Sequence, residues 1–158
     1  MKKITAIICF IVLAVQILTG CSANKRIQFE DIYQQVIPFS DNDVTMKPVP
    51  QDTILMMTNE EYTKFVDDYF KLRQLPIALS DPEKAALYIQ IAAADYSVDQ
   101  YRAEKIYLKD NTLTVSLEKV GTSKVKAPEG FKGSFKWVMF IVLDKAELKS
   151  DMKIVIKK

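Results

Sequence analysis

The sequence contains no histidine at all. This absence excludes Ser-His-Asp and Cys-His catalysis, because both need an imidazole as general base. It also excludes metal sites built on histidine and a histidine switch near neutral pH. Enzymes that work through carboxylates are not excluded. The absence of histidine therefore reduces the number of possible functions without identifying one.

The sequence also lacks a hydrophobic run long enough to span a bilayer, which takes about 20 residues. Its longest run, Ile4–Leu18, has fifteen residues and is interrupted by Thr5 and Gln16. Lys2 and Lys3 precede this run and make its start positive. A basic start followed by a short apolar stretch is typical of a secretory signal peptide.

The signal ends in Leu18-Thr19-Gly20-Cys21, which resembles the bacterial lipobox at all four positions. In lipoproteins of that kind, the cysteine thiol receives a diacylglyceryl group and the chain is cut before the cysteine. Further acyl chains, such as palmitate, are added at the new amino terminus in some of them. The resemblance therefore implies that Cys21 attaches the protein to membrane lipid, and two acyl chains are enough for stable anchoring.

On this basis, residues 1–20 are a lipoprotein signal peptide, residues 21–26 a lipidated tether and residues 27–158 a single extracytoplasmic domain. We expect the mature protein on the extracytoplasmic face of the cell membrane. Cys9 leaves with the signal and Cys21 carries lipid, so no disulfide can form within the mature chain. Zinc sites of the usual kind are excluded as well, because free cysteine and histidine ligands are both missing.

The mature chain is expected to have no net charge. The full chain carries 22 lysines and arginines and 20 acidic residues. The signal removes Lys2 and Lys3 and no acidic residue, so the basic and acidic side chains become equal in number. Neutrality on average argues against a protein that coats polyanions. We therefore expect no nucleic acid partner, and the composition points to no cofactor.

One main helix is predicted in the middle of the chain. Thr58-Asn59-Glu60-Glu61 has the form of a capping box, with threonine at the cap and glutamate three residues later. Pro76 prevents the helix from continuing far beyond its fourth turn. The apolar residues after the cap repeat at helical spacing and are Tyr62, Phe65, Val66 and Tyr69.

Strands are predicted on both sides of the helix. Ala86–Ala94 is apolar on both faces, which suggests a central strand under the helix. Arg102–Leu108 and Thr112–Glu118 flank Lys109-Asp110-Asn111 and predict a hairpin. The other predicted elements are strands at Thr53–Met57, Phe135–Leu143 and Met152–Ile156, one helical turn at Ala146–Lys149, and a strand or helical turn at Ile27–Val36. The predicted fold class is α+β, a mostly antiparallel sheet packed by one main helix.

Acidic and hydroxyl residues form no compact catalytic pattern. Asp41–Thr45 places oxygen donors at alternate positions, but Met46 follows where a calcium loop needs glycine, so an Asx-rich turn is the better interpretation. Asp67-Asp68 would diverge by about 100° on a helix. Ser123-Lys124 gives the amine no special geometry towards the hydroxyl. An envelope hydrolase that draws carboxylates from separate segments is the alternative function.

Segment 119–136, KVGTSKVKAPEGFKGSFK, is the clearest candidate for a contact surface. It combines five lysines, one glutamate, two phenylalanines and all the glycines of the mature chain. A flexible basic loop here would touch anionic head groups, wall polymer or an acidic partner. The residues favour the alternative, a solvated long hairpin loop with Phe135 already in the next strand. The candidate contact residues are Lys124, Lys126, Phe131, Lys132 and Lys136.

The order of the elements gives a second resemblance. Residues 53–158 contain a strand, the capped helix NEEYTKFVDDYF, Asp81 before a central strand, a hairpin and closing strands. This order resembles small lipoprotein domains of the protease-complex-subunit (PrcB-like) type. Those domains carry a Thr-Gly-Gly-Tyr turn after the central strand, and here only Tyr96 matches that turn. The resemblance implies an accessory domain and transfers no functional residue.

Together, these observations predict a non-catalytic binding or accessory module that is anchored through Cys21 and contacts an envelope protein. The alternatives are the carboxylate hydrolase and a protein that contacts the cell wall or membrane directly. A cleft with two perturbed carboxylates would favour the enzyme. An open strand edge or an exposed apolar patch would favour the binding module.

Overall fold

The computed structural model describes residues 24–40, 48–70, 79–94, 96–127 and 129–158. Within these ranges, no helix reaches the length and hydrophobicity needed to cross a membrane. The described elements are helix α1 (Asn59–Tyr69) and strands β1 (Lys25–Arg26), β2 (Phe29–Phe39), β3 (Thr53–Met56), β4 (Lys84–Ala92), β5 (Ser97–Lys109), β6 (Thr112–Lys124), β7 (Ser134–Asp144) and β8 (Lys153–Lys157).

The strands form two four-stranded sheets that pack face to face. Sheet A has the order β1-β5-β6-β8, and sheet B has the order β2-β7-β4-β3. Every pair is antiparallel except β6 and β8, which run parallel. Helix α1 packs on the other side of sheet B, so the layers are helix, sheet B and sheet A. The α+β class and the single main helix are confirmed, and the second sheet is an addition to the prediction.

Sheet B is buried on both faces because its two central strands, β4 and β7, carry mostly apolar side chains on both sides. In β4, Ala86 and Tyr88 belong to the core under the helix, whereas Leu87, Ile89 and Ile91 belong to the core between the sheets. The predicted central strand under a helix is therefore confirmed. Its opposite face is covered by sheet A, a layer that the sequence pattern did not specify.

Helix α1 begins at the predicted capping box. The Thr58 hydroxyl accepts a hydrogen bond from the Glu61 N–H at 3.2 Å, and the Glu61 carboxylate accepts one from the Thr58 N–H at 3.2 Å. Tyr62 and Phe65 are buried against sheet B, and Asp67-Asp68 is exposed, as the helical spacing predicts. The cap and the apolar stripe together fix where the helix starts and which face it buries.

The β5–β6 hairpin is also confirmed, but it is longer than predicted. Asp110 and Asn111 have positive φ angles of 46° and 60° and form the two-residue turn that suits a twisted hairpin. Each strand has 13 residues. Because β6 extends to Lys124 and β7 begins at Ser134, the prediction of one flexible loop over residues 119–136 is wrong.

Of the two alternatives predicted for Ile27–Val36, a strand or a helical turn, the strand is confirmed as β2. Two smaller regions differ from the prediction. Lys25 and Arg26, assigned to the tether, pair with Leu108 and Tyr107 of β5. Between β7 and β8, where one helical turn was predicted, the chain makes two successive tight turns: the Leu148 N–H donates to the Lys145 carbonyl oxygen at 2.8 Å and the Met152 N–H to the Lys149 carbonyl oxygen at 3.3 Å.

The two sheets share a proximal end and a distal end. The proximal end contains β1, the β5–β6 turn and the start of β8, and residue 24 enters the fold there. The distal end contains the β4–β5 connection, the last residues of β6 and the loop 125–133. At about 3.3 Å per residue, β5 separates the two ends by about 40 Å.

Candidate functional site

Three aromatic rings meet at the distal end. Phe135, at the start of β7, is buried and its ring lies 5.1 Å from the Phe131 ring and 6.2 Å from the Tyr96 ring, measured between centroids. Phe131 is half-buried, and Tyr96 is 57% exposed. Among the described residues, Tyr96 and Val120 are the exposed large hydrophobic side chains. One buried ring thus supports two rings that reach the surface.

Backbone hydrogen bonds hold Tyr96 in place. The Ser97 N–H donates to the Ala94 carbonyl oxygen at 3.0 Å, closing a tight turn between β4 and β5. Val125, at the end of β6, donates its N–H to the Tyr96 carbonyl oxygen at 2.9 Å. The Tyr96 carbonyl group is therefore hydrogen-bonded to the residue after β6, while the Tyr96 ring stays accessible to a partner.

The loop that carries Phe131 is bound to the end of β2. The Ser40 hydroxyl donates to the Lys132 carbonyl oxygen at 3.0 Å. Gly133 allows the close approach, because a Cβ atom at this position would overlap the Phe39 carbonyl oxygen and the Phe131 ring. These contacts give Phe131 a fixed support beside Phe135.

Three lysines lie in the segments next to these rings, since Lys124 is paired with Ser97 and Lys132 follows Phe131. Lys124, Lys126 and Lys132 are exposed, and none of them forms an ion pair with another described residue. Glu129 is the acidic residue of the described part of the loop. We call Tyr96, Lys124, Lys126, Phe131 and Lys132 the distal patch, an aromatic and basic surface of the kind that binds acidic partners.

The fifth predicted contact residue, Lys136, lies apart from this patch. It points to the helix side of sheet B, with its Nζ atom 5.3 Å from the centre of the Phe39 ring. Burial lowers the pKa of Lys136, and the nearby Asp52 carboxylate opposes that shift. The structure brings four of the five candidates to one end and separates Lys136, because adjacent strand residues point to opposite faces.

Lys119 does not add to the patch either. Its Nζ atom forms an ion pair with Asp99 at 2.7 Å, and the Thr122 hydroxyl donates to the same carboxylate at 2.7 Å. Hydrogen bonds from Lys119 and Thr122 lower the pKa of Asp99. The excess positive charge that the sequence suggests for residues 119–136 is therefore smaller at the distal end.

Asp31 is a half-buried carboxylate in β2. Its Oδ2 atom accepts a hydrogen bond from the Ala103 N–H of β5 at 3.2 Å, and its Oδ1 atom is buried without a hydrogen-bond partner. Burial raises the pKa of Asp31, although the Ala103 N–H opposes the shift. Asp31 thus joins the two sheets. Unlike Asp99, which is paired with Lys119, Asp31 has no ion pair with another described residue.

Other predicted features give no catalytic cluster in the described chain. The stretch Asp41–Thr45 and the lipid-attachment residue Cys21 lie outside the described residues. Asp81 forms the predicted turn before β4, with its carboxylate accepting from the Glu83 N–H at 2.9 Å. Ser123 accepts a hydrogen bond from Gln100. Within the described ranges, no group of three acidic or cysteine side chains could hold a metal ion.

Comparison with known proteins adds no assignment: the chain matches no family model, no curated protein and no solved structure. The resemblances to the lipobox and to PrcB-like domains therefore stay predictions from the sequence. Sequence reasoning did not select Tyr96 as a contact residue. The signal that could have found it is an aromatic residue in a tight turn between two strands, where burial is geometrically difficult.

Proposed function

We propose that this protein is a membrane-anchored lipoprotein whose distal patch binds an acidic segment of an envelope protein. It is lipidated at Cys21, lies on the extracytoplasmic face of the cell membrane and acts without catalysis as a binding or accessory module. The observation that carries this proposal is the exposed Tyr96 ring beside three lysines that lack ion-pair partners in the described chain.

The position of the patch supports this function. Lys25 and Arg26 are paired in β1, so Asn24 is the last described residue before the proposed anchor. Two residues lie between it and Cys21, so the two Cα atoms are at most about 11 Å apart in an extended chain. The anchor therefore holds the proximal end close to the bilayer, and the distal patch is at the other end of β5. A surface so placed is accessible to neighbouring envelope proteins.

The chemistry of the patch defines the partner. Aromatic side chains contribute strongly to binding when a partner excludes water from them. The surrounding lysines favour carboxylates and raise the rate of encounter. The rings are already supported by Phe135 and the bonded loop, so little side-chain freedom is lost on binding. An acidic segment with an apolar side chain at its centre fits this surface.

Site-specific photo-cross-linking in the intact membrane tests the proposal. A photoreactive phenylalanine analogue replaces Tyr96 in one variant and Tyr107, a half-buried tyrosine at the proximal end, in the control. We expect a discrete protein adduct from position 96 and none from position 107. Combining the probe at position 96 with Lys124→Gln, Lys126→Gln and Lys132→Gln should reduce the adduct severalfold, because the electrostatic attraction is lost.

Two results would contradict the proposal. One is an adduct of the same intensity from positions 96 and 107, which would indicate random collision. The other is an adduct from position 96 that the three lysine substitutions leave unchanged. Cleavage of wall fragments by the purified protein would contradict the non-catalytic assignment and favour the hydrolase.

A further inference from the structure

The proximal half of sheet A presents a polar outer face. In β6, Leu113, Val115 and Leu117 are buried between the sheets, so Thr112, Thr114 and Ser116 point outward. A shallow groove of about 410 Å³ runs over these hydroxyl side chains. The surface is therefore rich in hydrogen-bond donors.

Basic side chains flank the hydroxyl groups on both neighbouring strands. Thr112 is paired with Lys109 of β5 and Lys153 of β8, and Ser116 is paired with Lys157 of β8. Paired residues in adjacent strands point to the same side of a sheet. Arg26 of β1 stands on the same face, because it is paired with Tyr107, which lines the groove together with Thr114.

These cations are not neutralised by the described chain. Arg26, Lys109, Lys153 and Lys157 form no ion pair with another described residue. We call these four residues together with Thr112, Thr114 and Ser116 the proximal basic face. Asp110 also lines the groove, so one carboxylate offsets part of this charge.

Between this face and the distal end, the charges on the outer face of sheet A are paired. Arg102 bonds to Glu118 at 2.8 Å, and Lys119 bonds to Asp99 at 2.7 Å. Lys105, at the boundary, pairs with the adjacent Glu104 at 2.5 Å. Four unpaired cations therefore lie on sheet A at the end where the chain arrives from Cys21, and the paired charges separate them from Lys124 at the distal end.

We infer that the proximal basic face binds the phosphate groups of anionic lipids beside the anchor and so orients the domain on the bilayer. The inference rests on the lipid anchor of the proposed function. Asn24 lines the groove, and a lipid on Cys21 would be within about 11 Å of it along the chain. Head groups are thus the first anions that this face meets, and lysines and hydroxyl groups are the donors that phosphate accepts from.

Anchoring also makes a weak contact effective. A tethered face meets head groups at high local concentration, so a few charge contacts are enough to hold an orientation. Each lysine near an anionic surface changes the ratio of docked to undocked molecules by about fivefold. Removal of three lysines is expected to lower this ratio by about a hundredfold. Because the distal patch lies at the other end of β5, about 40 Å away, it stays free for a protein partner.

The test uses the lipidated full-length mature protein in vesicles and exploits its lack of free cysteines. Cys21 is the single cysteine after the signal, so a cysteine introduced elsewhere is the one free thiol. Thr114→Cys reports on the proximal basic face, and Thr122→Cys, on the distal half of β6, is the control. The measured quantity is the rate of reaction with an uncharged polyethylene glycol maleimide. Vesicles contain either phosphatidylcholine alone or a mixture with phosphatidylglycerol.

We expect phosphatidylglycerol to slow the reaction at position 114 at least tenfold and to leave position 122 unchanged. High salt should restore the rate, because it screens the lysines from the phosphates. Adding Lys109→Gln, Lys153→Gln and Lys157→Gln should abolish the protection even at low salt.

Two outcomes would overturn the inference while leaving the anchor intact. In one, position 114 reacts equally fast in both kinds of vesicle. In the other, soluble polyphosphate protects position 114 in phosphatidylcholine vesicles better than phosphatidylglycerol does, which would assign the face to a soluble polyanion. Failure of the proposed function is distinguishable: a wild-type protein that floats with neither vesicle contradicts the anchor, and the inference with it.

Discussion

The two sides of sheet B are packed by different kinds of side chain. Under the helix the core is aromatic, and Phe140 lies at its centre. Between the sheets the fully buried residues are mainly aliphatic and include Leu87, Ile89, Ile106, Leu113, Ile141 and Leu143. The rings within about 6 Å of the Phe140 ring belong to Tyr33, Tyr62, Phe65, Phe70 and Tyr88.

This difference follows from what covers each side. Helix α1 has 11 residues and buries two of them, Tyr62 and Phe65, so large rings must fill the space over the sheet. Sheet A has four strands, as sheet B does, and aliphatic side chains interdigitate well between two sheets about 10 Å apart. Ring contacts depend on orientation as well as area. The aromatic side should therefore tolerate substitution less well than the aliphatic side.

Truncation of two adjacent residues on β7, one facing each core, should show the largest difference in stability between the two sides. Phe140→Ala removes the ring at the centre of the aromatic core and is expected to cost about 3–5 kcal/mol of unfolding free energy. Ile141→Ala, on the other face, should cost less, within the range of about 2–5 kcal/mol that is typical of a buried isoleucine. Denaturant unfolding measures both variants, with circular dichroism as the probe.

A domain of this size has about 5–15 kcal/mol of stability, so Phe140→Ala could unfold completely. Phe140→Leu provides a second measurement, because it keeps most of the apolar volume and loses the edge-to-face ring contacts. Its cost should exceed that of Ile141→Leu. A larger loss from the substitutions at position 141 would contradict the view that the aromatic side is the less tolerant one.

The helix cap is expected to have a smaller effect, confined to the aromatic side. Thr58→Ala removes the hydroxyl that accepts from the Glu61 N–H and should cost about 1 kcal/mol. Thr63→Ala, at an exposed position within α1, is the matched control and should cost less. Hydrogen exchange should show faster opening of α1 in the Thr58 variant, with the amides of β5 and β6 unchanged. Equal loss of protection in both sheets would mean that the two sides open together.

Local signals in the sequence predicted the helix and the hairpin, because the cap and the turn are each made by a few neighbouring residues. The second sheet could not be predicted in this way. The parallel pairing of β8 with β6 joins residues about forty positions apart, and no local pattern encodes it. The two apolar faces of β4 indicated that something covers each side, without identifying sheet A as one of the covers.

The candidate site was predictable to a similar extent. Phe131 and its neighbouring lysines are close in sequence, so their proximity in the fold follows directly. Tyr96 is brought to them by the β4–β5 turn and the buried ring of Phe135, a contact between distant segments. The separation of Lys136 could have been foreseen, because strand alternation places it opposite Phe135 and Trp137.

Asp31 gives the smallest effect and tests whether the aliphatic side depends on charge. Burial raises the pKa of this carboxyl, so the folded state binds its proton more tightly than the unfolded state. Its contribution to stability therefore falls as the pH rises from the unfolded aspartate pKa, about 3.9, through the raised folded value. At neutral pH the ionised carboxylate is unfavourable in the folded state.

Asp31→Asn keeps an oxygen that accepts from the Ala103 N–H and removes the charge. We expect the variant to match or exceed wild-type stability at pH 7, by less than about 1 kcal/mol, and to lose this advantage as the pH falls through the raised folded pKa of Asp31 towards the unfolded value of about 3.9. Asp99→Asn is the opposite control: the pKa of Asp99 is lowered, so its contribution is present at neutral pH and lost as the pH falls. Urea unfolding at several pH values measures the two differences, and the same sign for both would show that the Asp31 charge stabilises the contact between the sheets.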